Sequence, residues 1–143
     1  MIMKNTLLLT ICFIICTVIT CESDHNYPTN IPDGEYIGTF QRQLAFGGGD
    51  TSHVSITFSS NTWTGVSDKQ HYPALCHGTY SIKKDKIIFN NVCIFTADFD
   101  GTLILGGEFD FNLDDNLLKF NHNYSGSLTD AYNDCYSLKR ITK

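Results

Sequence analysis

Hydrophobic and polar residues alternate with a period of two along most of the chain after Gly34. In the stretch HVSITFS (53–59), for example, Val54, Ile56 and Phe58 alternate with histidine, serine and threonine. Such a pattern, rich in β-branched and aromatic residues, predicts strands that bury one face. It predicts strands at 34–42, 53–59, 62–68, 76–82, 87–93, 102–113, 117–123 and 134–141. The pattern therefore indicates an all-β protein.

Eight short antiparallel strands joined by tight turns favour an up-and-down barrel. A barrel of this size is just wide enough inside for side chains or for one small ligand. The alternative fold is a β-sandwich.

One predicted hairpin also predicts a disulfide. If residues 84–85 form a two-residue loop between strands 76–82 and 87–93, the numbers of cross-strand partners sum to 169, so Cys76 lies opposite Cys93. Directly opposed Cβ atoms lie about 4.5 to 5.5 Å apart, which makes a cross-strand disulfide feasible. The register favours Cys76–Cys93 over the alternatives, in which Cys135 bonds to one of these two cysteines.

The first twenty residues differ from the rest of the chain. Lys4 precedes an apolar run over residues 7–19, which is the layout of a secretory signal and is shorter than the roughly 20 residues of a membrane span. Cys21 follows directly after residues 18–20 and resembles the lipid-attachment cysteine of bacterial lipoproteins, although Thr20 departs from the usual small residue. An uncleaved N-terminal anchor helix is the alternative.

The resulting domain organisation is a lipoprotein signal peptide at 1–20, a tether at 21–32 and a barrel domain at 33–143. Glu22 after the cysteine resembles lipoproteins forwarded to the outer membrane, with the periplasmic or surface face undecided. Without residues 1–20, the chain has nine basic and fifteen acidic residues and a formal charge of −6. This charge makes nucleic acid an unfavourable partner. A signal peptide implies export to an oxidising compartment, where disulfides persist.

A second resemblance concerns the fold. The Gly34-x-Tyr36 sequence near the start of the first strand, and Arg140 near the end of the last, resemble the closing arrangement of lipocalins, with tyrosine in place of tryptophan. The segments DGEYIGTF, YPALCHGTYSI, IIFNNVC, TADFDGTLILGGEF and CYSLKRI are similar to small lipocalin-like lipoproteins of Gram-negative bacteria. That group has no common assigned activity. The resemblance thus implies a fold and a location, and no catalytic residues.

The segment Asp98–Leu103, DFDGTL, resembles the nucleophile motif of haloacid dehalogenase-type phosphotransferases. Only 40 residues follow it, too few for the remaining motifs on a scaffold of βαβ units of about 30 residues each. A calcium loop is the other alternative, but the third oxygen ligand and the closing glutamate are missing. We interpret the segment as a turn between two strands.

The remaining candidate site is the barrel interior. Its predicted lining comprises Tyr36, Phe40, Trp63, Tyr80, Phe89 and Phe109. These rings could line a cavity for a small apolar ligand, or they could fill the core. The sequence shows neither a converging catalytic set nor a Cys/His spacing typical of zinc sites, so no enzyme activity, cofactor or metal is predicted. The leading hypothesis is binding of a small apolar ligand, and the alternative is a protein-interaction or inhibitor module acting through its loops.

Overall fold

The computed structural model of the protein describes residues 27–126 and 131–142. Within these ranges, eight antiparallel strands follow one another around a barrel, which closes because the first strand also pairs with the last. The strands are β1 (Gly34–Leu44), β2 (Thr51–Ser59), β3 (Thr62–Ser67), β4 (His77–Lys83), β5 (Lys86–Asn91), β6 (Gly107–Asp114), β7 (Leu117–Tyr124) and β8 (Tyr132–Arg140). The predicted eight-stranded barrel is confirmed. The proposed signal peptide and Cys21 lie outside the described residues.

Alternation along each strand builds the core. In β2, for example, the side chains of Val54, Ile56 and Phe58 are buried, while those of His53 and Thr57 are exposed. Burial of such side chains stabilises the fold by roughly 1.5 to 3 kcal/mol each. The inward faces of the strands thus form one hydrophobic core inside the barrel.

The two ends of the barrel differ in their connections. At one end, which we call the turn end, two-residue turns at 60–61, 84–85 and 115–116 lie beside the start of β1 and the end of β8. The opposite end, the loop end, has longer connections, including 45–50, 68–76 and 92–106. Long loops on a rigid scaffold are where binding residues concentrate, so the loop end is where we examine the candidate site.

The chain segment before β1 closes the turn end. Ile31 is 1% exposed and belongs to the core. The Tyr80 hydroxyl donates a hydrogen bond to the Ile31 carbonyl at 3.3 Å, and the Tyr36 hydroxyl donates one to the Pro32 carbonyl at 3.0 Å. The last residues of the predicted tether therefore form part of the barrel.

β1 and β8 close the barrel as the lipocalin-like arrangement implies. Their register pairs Tyr36 with Arg140. The Arg140 guanidinium lies against Gly34 and donates a hydrogen bond to the Asp33 carbonyl. These contacts of Arg140 join the start of β1 to the end of β8.

The predicted hairpin register is confirmed. Lys83 pairs with Lys86 around the two-residue turn, and the numbers of all β4–β5 partners sum to 169. Beyond the last of these pairs, Cys76 and Cys93 form a disulfide with their Cα atoms 6.4 Å apart. Cys135 is the cysteine outside a disulfide among the described residues, so the alternatives that bonded it to Cys76 or Cys93 are wrong.

The sixth strand begins later than predicted. Residues 102–106 were expected to be extended strand, but Gly101–Leu103 forms a short 3-10 turn and β6 starts at Gly107. The φ angle of Gly107 is +86°, in the left-handed region, so the chain changes direction there. Leu105 is nevertheless buried, and the backbone around it pairs with Ala74 instead of with β5. Residues 102–106 therefore cover the loop end of the barrel.

Candidate functional site

The six aromatic residues predicted to line a ligand cavity all point into the barrel and are at most 5% exposed. They are Tyr36, Phe40, Trp63, Tyr80, Phe89 and Phe109. Rings from walls that are not neighbours meet in the middle: the ring of Phe58 on β2 lies 6.4 Å from that of Phe89 on β5. Phe89 in turn lies 5.1 Å from Phe120 on β7 and 5.8 Å from Trp63 on β3.

These contacts bear directly on the ligand hypothesis. Edge and tilted ring contacts at 5 to 6 Å are the distances of packed aromatic cores. An apolar ligand at the centre of the barrel would have to displace rings that already contact one another. Binding inside the barrel therefore stays a prediction. An open surface cleft lies instead at the loop end.

A buried ion pair lies directly above the aromatic core at the loop end. Arg42 occupies the next inward position of β1 after Phe40 and is 7% exposed. Its Nε and Nη2 atoms donate to the two carboxylate oxygens of Asp134 on β8, each at 2.7 Å. Burial alone would lower the pKa of Arg42, but the hydrogen bonds and charge of Asp134 outweigh it and the pKa is raised. Arg42 thus keeps its charge, and its ion pair with Asp134 lies at this end of the core.

The same guanidinium holds the segment that resembled a phosphatase motif. Arg42 Nη1 donates to Asp100 Oδ2 and to Thr102 Oγ1, both at 2.9 Å, and Nη2 donates to the Thr102 carbonyl at 3.0 Å. Asp100 also accepts a hydrogen bond from the Thr102 amide, which caps the 3-10 turn. The Thr102 hydroxyl donates a further hydrogen bond to Asp100 at 2.6 Å. This bond, then the bond from the amide and the charge of Arg42, lower the pKa of Asp100. The segment does contain a turn, but it lies inside the 92–106 connection and not directly between two strands, and Asp100 anchors it to the barrel.

Two tyrosines form the wall of a cleft beside this ion pair. Tyr124 of β7 and Tyr132 of β8 are cross-strand partners, and their rings stack with centroids 5.1 Å apart at an interplanar angle of 18°. The Arg42 guanidinium carbon lies 3.9 Å from the Tyr132 ring centroid, a cation–π distance. The cleft, which we call the mouth cleft, is shallow and open, with a volume of about 340 Å³. The described residues that line it are Gln43, Leu44, Ala45, Asn123, Tyr124, Ser125, Ala131, Tyr132 and Asn133.

Exposed hydrophobic side chains adjoin the mouth cleft. Leu44 is 51% exposed, and Phe46, which follows the cleft residue Ala45, is 82% exposed. An amide hydrogen bond of 3.1 Å from Ala45 to the Ala131 carbonyl holds the start of this loop against the β8 side. Large exposed rings beside a concave surface are typical of interaction sites.

The sequence analysis missed the mouth cleft, although a signal for it exists. The predicted strands ended at residue 123 and began at residue 134. Continuing the period of two by one inward position on each strand reaches Tyr124 after His122 and Tyr132 before Asp134. That step places both tyrosines on the inward face at the barrel mouth, opposite each other.

The disulfide forms a second cluster at the loop end. The Nδ1 atom of His77 lies 3.3 Å from the Cys76 sulfur and 3.2 Å from the Cys93 sulfur. One ligand atom from each of these residues lies within 4.8 Å of the others. The sequence spacing predicted no metal site, because Cys93 lies 17 residues after Cys76, just beyond the end of β5.

No family model, curated protein or solved structure matches the chain. Within residues 27–126 and 131–142, no helix has both the length and the apolar character needed to cross a membrane. Function must therefore be argued from the geometry of the loop end.

Proposed function

We propose that this protein is a non-catalytic, lipid-anchored binding module of the cell envelope that engages a partner protein through the mouth cleft. This is the loop-mediated interaction function that the sequence analysis held as its alternative. The partner would insert an apolar or aromatic side chain between Leu44 and the stacked rings of Tyr124 and Tyr132.

One contrast carries the proposal. Rings from different walls contact each other in the middle of the barrel, whereas the exposed side chains of Leu44 and Phe46 adjoin a cleft that is open among the described residues at its mouth. Aromatic side chains in a concave patch are the groups that dominate the energy of protein interfaces. The Arg42–Asp134 pair beneath the cleft already satisfies its charges, so an uncharged group of the partner suits the cleft better than a charged one.

The carboxylates at this end support a binding role without catalysis. Asp100 is engaged by Thr102 and Arg42, and Asp98 accepts a hydrogen bond from Thr96. The Asp98 interaction with Thr96 lowers the pKa of that carboxyl group. Both acids are thus stabilised as anions that organise the 92–106 loop, which is a structural task.

Site-specific photo-crosslinking tests the proposal. A photoreactive amino acid replaces Phe46 in the full chain, expressed in cells that normally carry the protein, and the matched control places it at Val66, a 64% exposed residue on the side of the barrel. We expect a discrete adduct with one protein from position 46 and not from position 66. The adduct should disappear when Tyr124→Ala is added, because the cleft then loses one of its stacked rings.

Two results would contradict the proposal. One is an adduct that forms equally from positions 46 and 66, and the other is an adduct that survives Tyr124→Ala in a folded protein. Native mass spectrometry of the purified protein supplies the competing outcome: a small apolar molecule that co-purifies would favour the ligand predicted inside the barrel.

A further inference from the structure

The cluster of Cys76, His77 and Cys93 combines three groups that bind soft and borderline metal ions. Thiolate sulfur and imidazole nitrogen are the usual ligands of Zn²⁺ in proteins. Here one imidazole nitrogen lies within 3.3 Å of both sulfur atoms. His77 is exposed and both cysteines are partly exposed, so an ion and a reductant can reach the cluster from solvent.

The backbone holds the three residues in place independently of the disulfide. The Cys76 carbonyl accepts a hydrogen bond from the Gly65 amide at 2.8 Å, and the His77 carbonyl accepts one from the Val92 amide at 3.2 Å. The Cys93 amide donates to Asn91 Oδ1 at 2.8 Å. None of these hydrogen bonds involves a sulfur atom, so reduction of the disulfide breaks none of them directly and the three side chains are expected to remain neighbours.

We propose that reduction of the Cys76–Cys93 disulfide creates a metal site in which both cysteine thiolates and the Nδ1 atom of His77 bind a zinc ion. The reductant is a dithiol, which transfers two electrons and two protons to the disulfide and becomes a disulfide itself. The two new thiols then release one proton each as they bind the ion. In the oxidised protein the sulfurs are bonded to each other, and the site does not exist.

The distances suit this ion. Zinc–sulfur bonds of about 2.3 Å and zinc–nitrogen bonds of about 2.0 to 2.1 Å, in tetrahedral geometry, separate two sulfurs by about 3.8 Å and a sulfur from a nitrogen by about 3.6 Å. The nitrogen–sulfur distances of 3.3 and 3.2 Å need to lengthen by only a few tenths of an ångström. The sulfurs can separate by rotation of the two cysteine side chains, because the Cα atoms are already 6.4 Å apart.

Three protein ligands leave the fourth position to water, as in zinc sites that exchange ligands. Residues 76 and 93 are therefore linked differently in the two oxidation states. The oxidised chain links them by a disulfide bond without metal, and the reduced chain links them through the zinc ion. The zinc ion also binds His77, so it fixes the exposed imidazole at the start of β4.

The test uses the full chain with Cys12, Cys16, Cys21 and Cys135 replaced by serine, so that only the two proposed thiol ligands remain. The protein is reduced, freed of reductant without air, and titrated with Cd²⁺, whose thiolate charge-transfer absorbance reports sulfur binding directly. Competition with Zn²⁺ then gives the zinc affinity. We expect one ion per reduced chain and no binding by the oxidised chain.

His77→Ala should weaken binding of Zn²⁺ by at least about tenfold, and His53→Ala, which removes another exposed strand histidine, should leave it unchanged. Cys93→Ser should abolish the Cd²⁺ absorbance. Equal binding by the His77→Ala and parent chains would overturn the proposal. So would a reduced chain whose circular dichroism shows it unfolded both with and without Zn²⁺.

Discussion

Arg42 and Asp134 join the first strand of the barrel to the last through two parallel hydrogen bonds of 2.7 Å, although 92 residues separate them in the chain. Both side chains are at least nine-tenths buried. Replacing Asp134 by alanine leaves the guanidinium buried without its bidentate partner, with its contacts to the 92–106 loop and to the Tyr132 ring. We expect a loss of about 3 to 5 kcal/mol in the free energy of unfolding, measured by urea denaturation.

The matched control for this pair is Asp110→Ala, which removes a carboxylate from the more exposed Lys86 pair. We expect a much smaller change there, because solvent screens that interaction. Equal losses for the two variants would mean that the buried pair contributes no more than a surface contact.

Phe89 is the ring through which different walls of the barrel meet. Its ring contacts those of Phe58, Trp63, Phe109 and Phe120. Phe89→Ala opens a cavity among them, and we expect the free energy of unfolding to fall by about 3 to 5 kcal/mol.

Phe46→Ala serves as the control for the core substitution, since the Phe46 ring is largely exposed. It should change stability by no more than about 0.5 kcal/mol. A Phe89→Ala variant as stable as the parent chain would indicate that the barrel centre is loosely filled, which would strengthen the case for an internal ligand.

Gly38 allows β1 to approach β8 closely. A Cβ atom at this position would lie 1.9 Å from the carbonyl oxygen of Ser137, which is backbone and cannot rotate away. Gly38→Ala should therefore separate the two strands that close the barrel and destabilise it by about 1 to 3 kcal/mol. Gly101→Ala is the control, because a Cβ atom there would meet nothing within 4 Å. Thermal unfolding followed by circular dichroism compares the two, and similar melting temperatures would refute the close approach.

The stability of the barrel should depend on pH through Tyr136. Burial, and then the charge of Asp134, raises the pKa of this phenol well above its ordinary value of 10.0. The folded chain keeps the proton where the unfolded chain loses it, so this stabilisation is complete below about pH 10 and is lost as the pH rises further. We expect Tyr136→Phe to reduce the decline in the free energy of unfolding above pH 10 by up to about 1.4 kcal/mol per pH unit. Equal slopes for the parent and Tyr136→Phe chains would disprove the assignment.

The proposed anchor makes Cys21 the residue that decides where the protein resides. Mass spectrometry of membrane fractions should find diacylglycerol on the Cys21 sulfur. Cys21→Ser should move the protein from the membrane fraction to the soluble envelope fraction, because acyl chains contribute about 0.8 kcal/mol per buried methylene. Cys135→Ser, which changes the unbonded cysteine of the barrel, should stay with the membranes. An unmodified, soluble mature chain would end the anchor hypothesis.

Local patterns were sufficient to predict the fold. The period of two identified the strands, and the two-residue turn at 84–85 set a register that placed Cys76 opposite Cys93. These features depend on residues close together in the chain or on one hairpin. The start of β6 was wrong because alternation continues through Leu103 and Leu105, whereas the left-handed backbone at Gly107 and the pairing with Ala74 override it.

The Arg42 grouping at the loop end could not be predicted in the same way. Arg42, Asp100 and Asp134 come together only once the barrel has closed, and nothing local to any of them indicates the other two. The cluster of His77 with both sulfurs is different, because His77 follows Cys76 directly and the hairpin register already brings Cys76 to Cys93. That grouping was within reach of the sequence and was missed, whereas the Arg42 grouping depends on closure of the barrel.

The pairing of β1 with β8 also governs the order in which the molecule can assemble. β1 is among the first parts of the barrel to be synthesised, but one of its two edges has no partner until residues 132–140 exist. Closing contacts over so long a stretch of chain is slow compared with forming a hairpin. Until β8 has formed, the other strands can make only an open sheet with one unpaired β1 edge, and the barrel seals when β8 pairs with that edge.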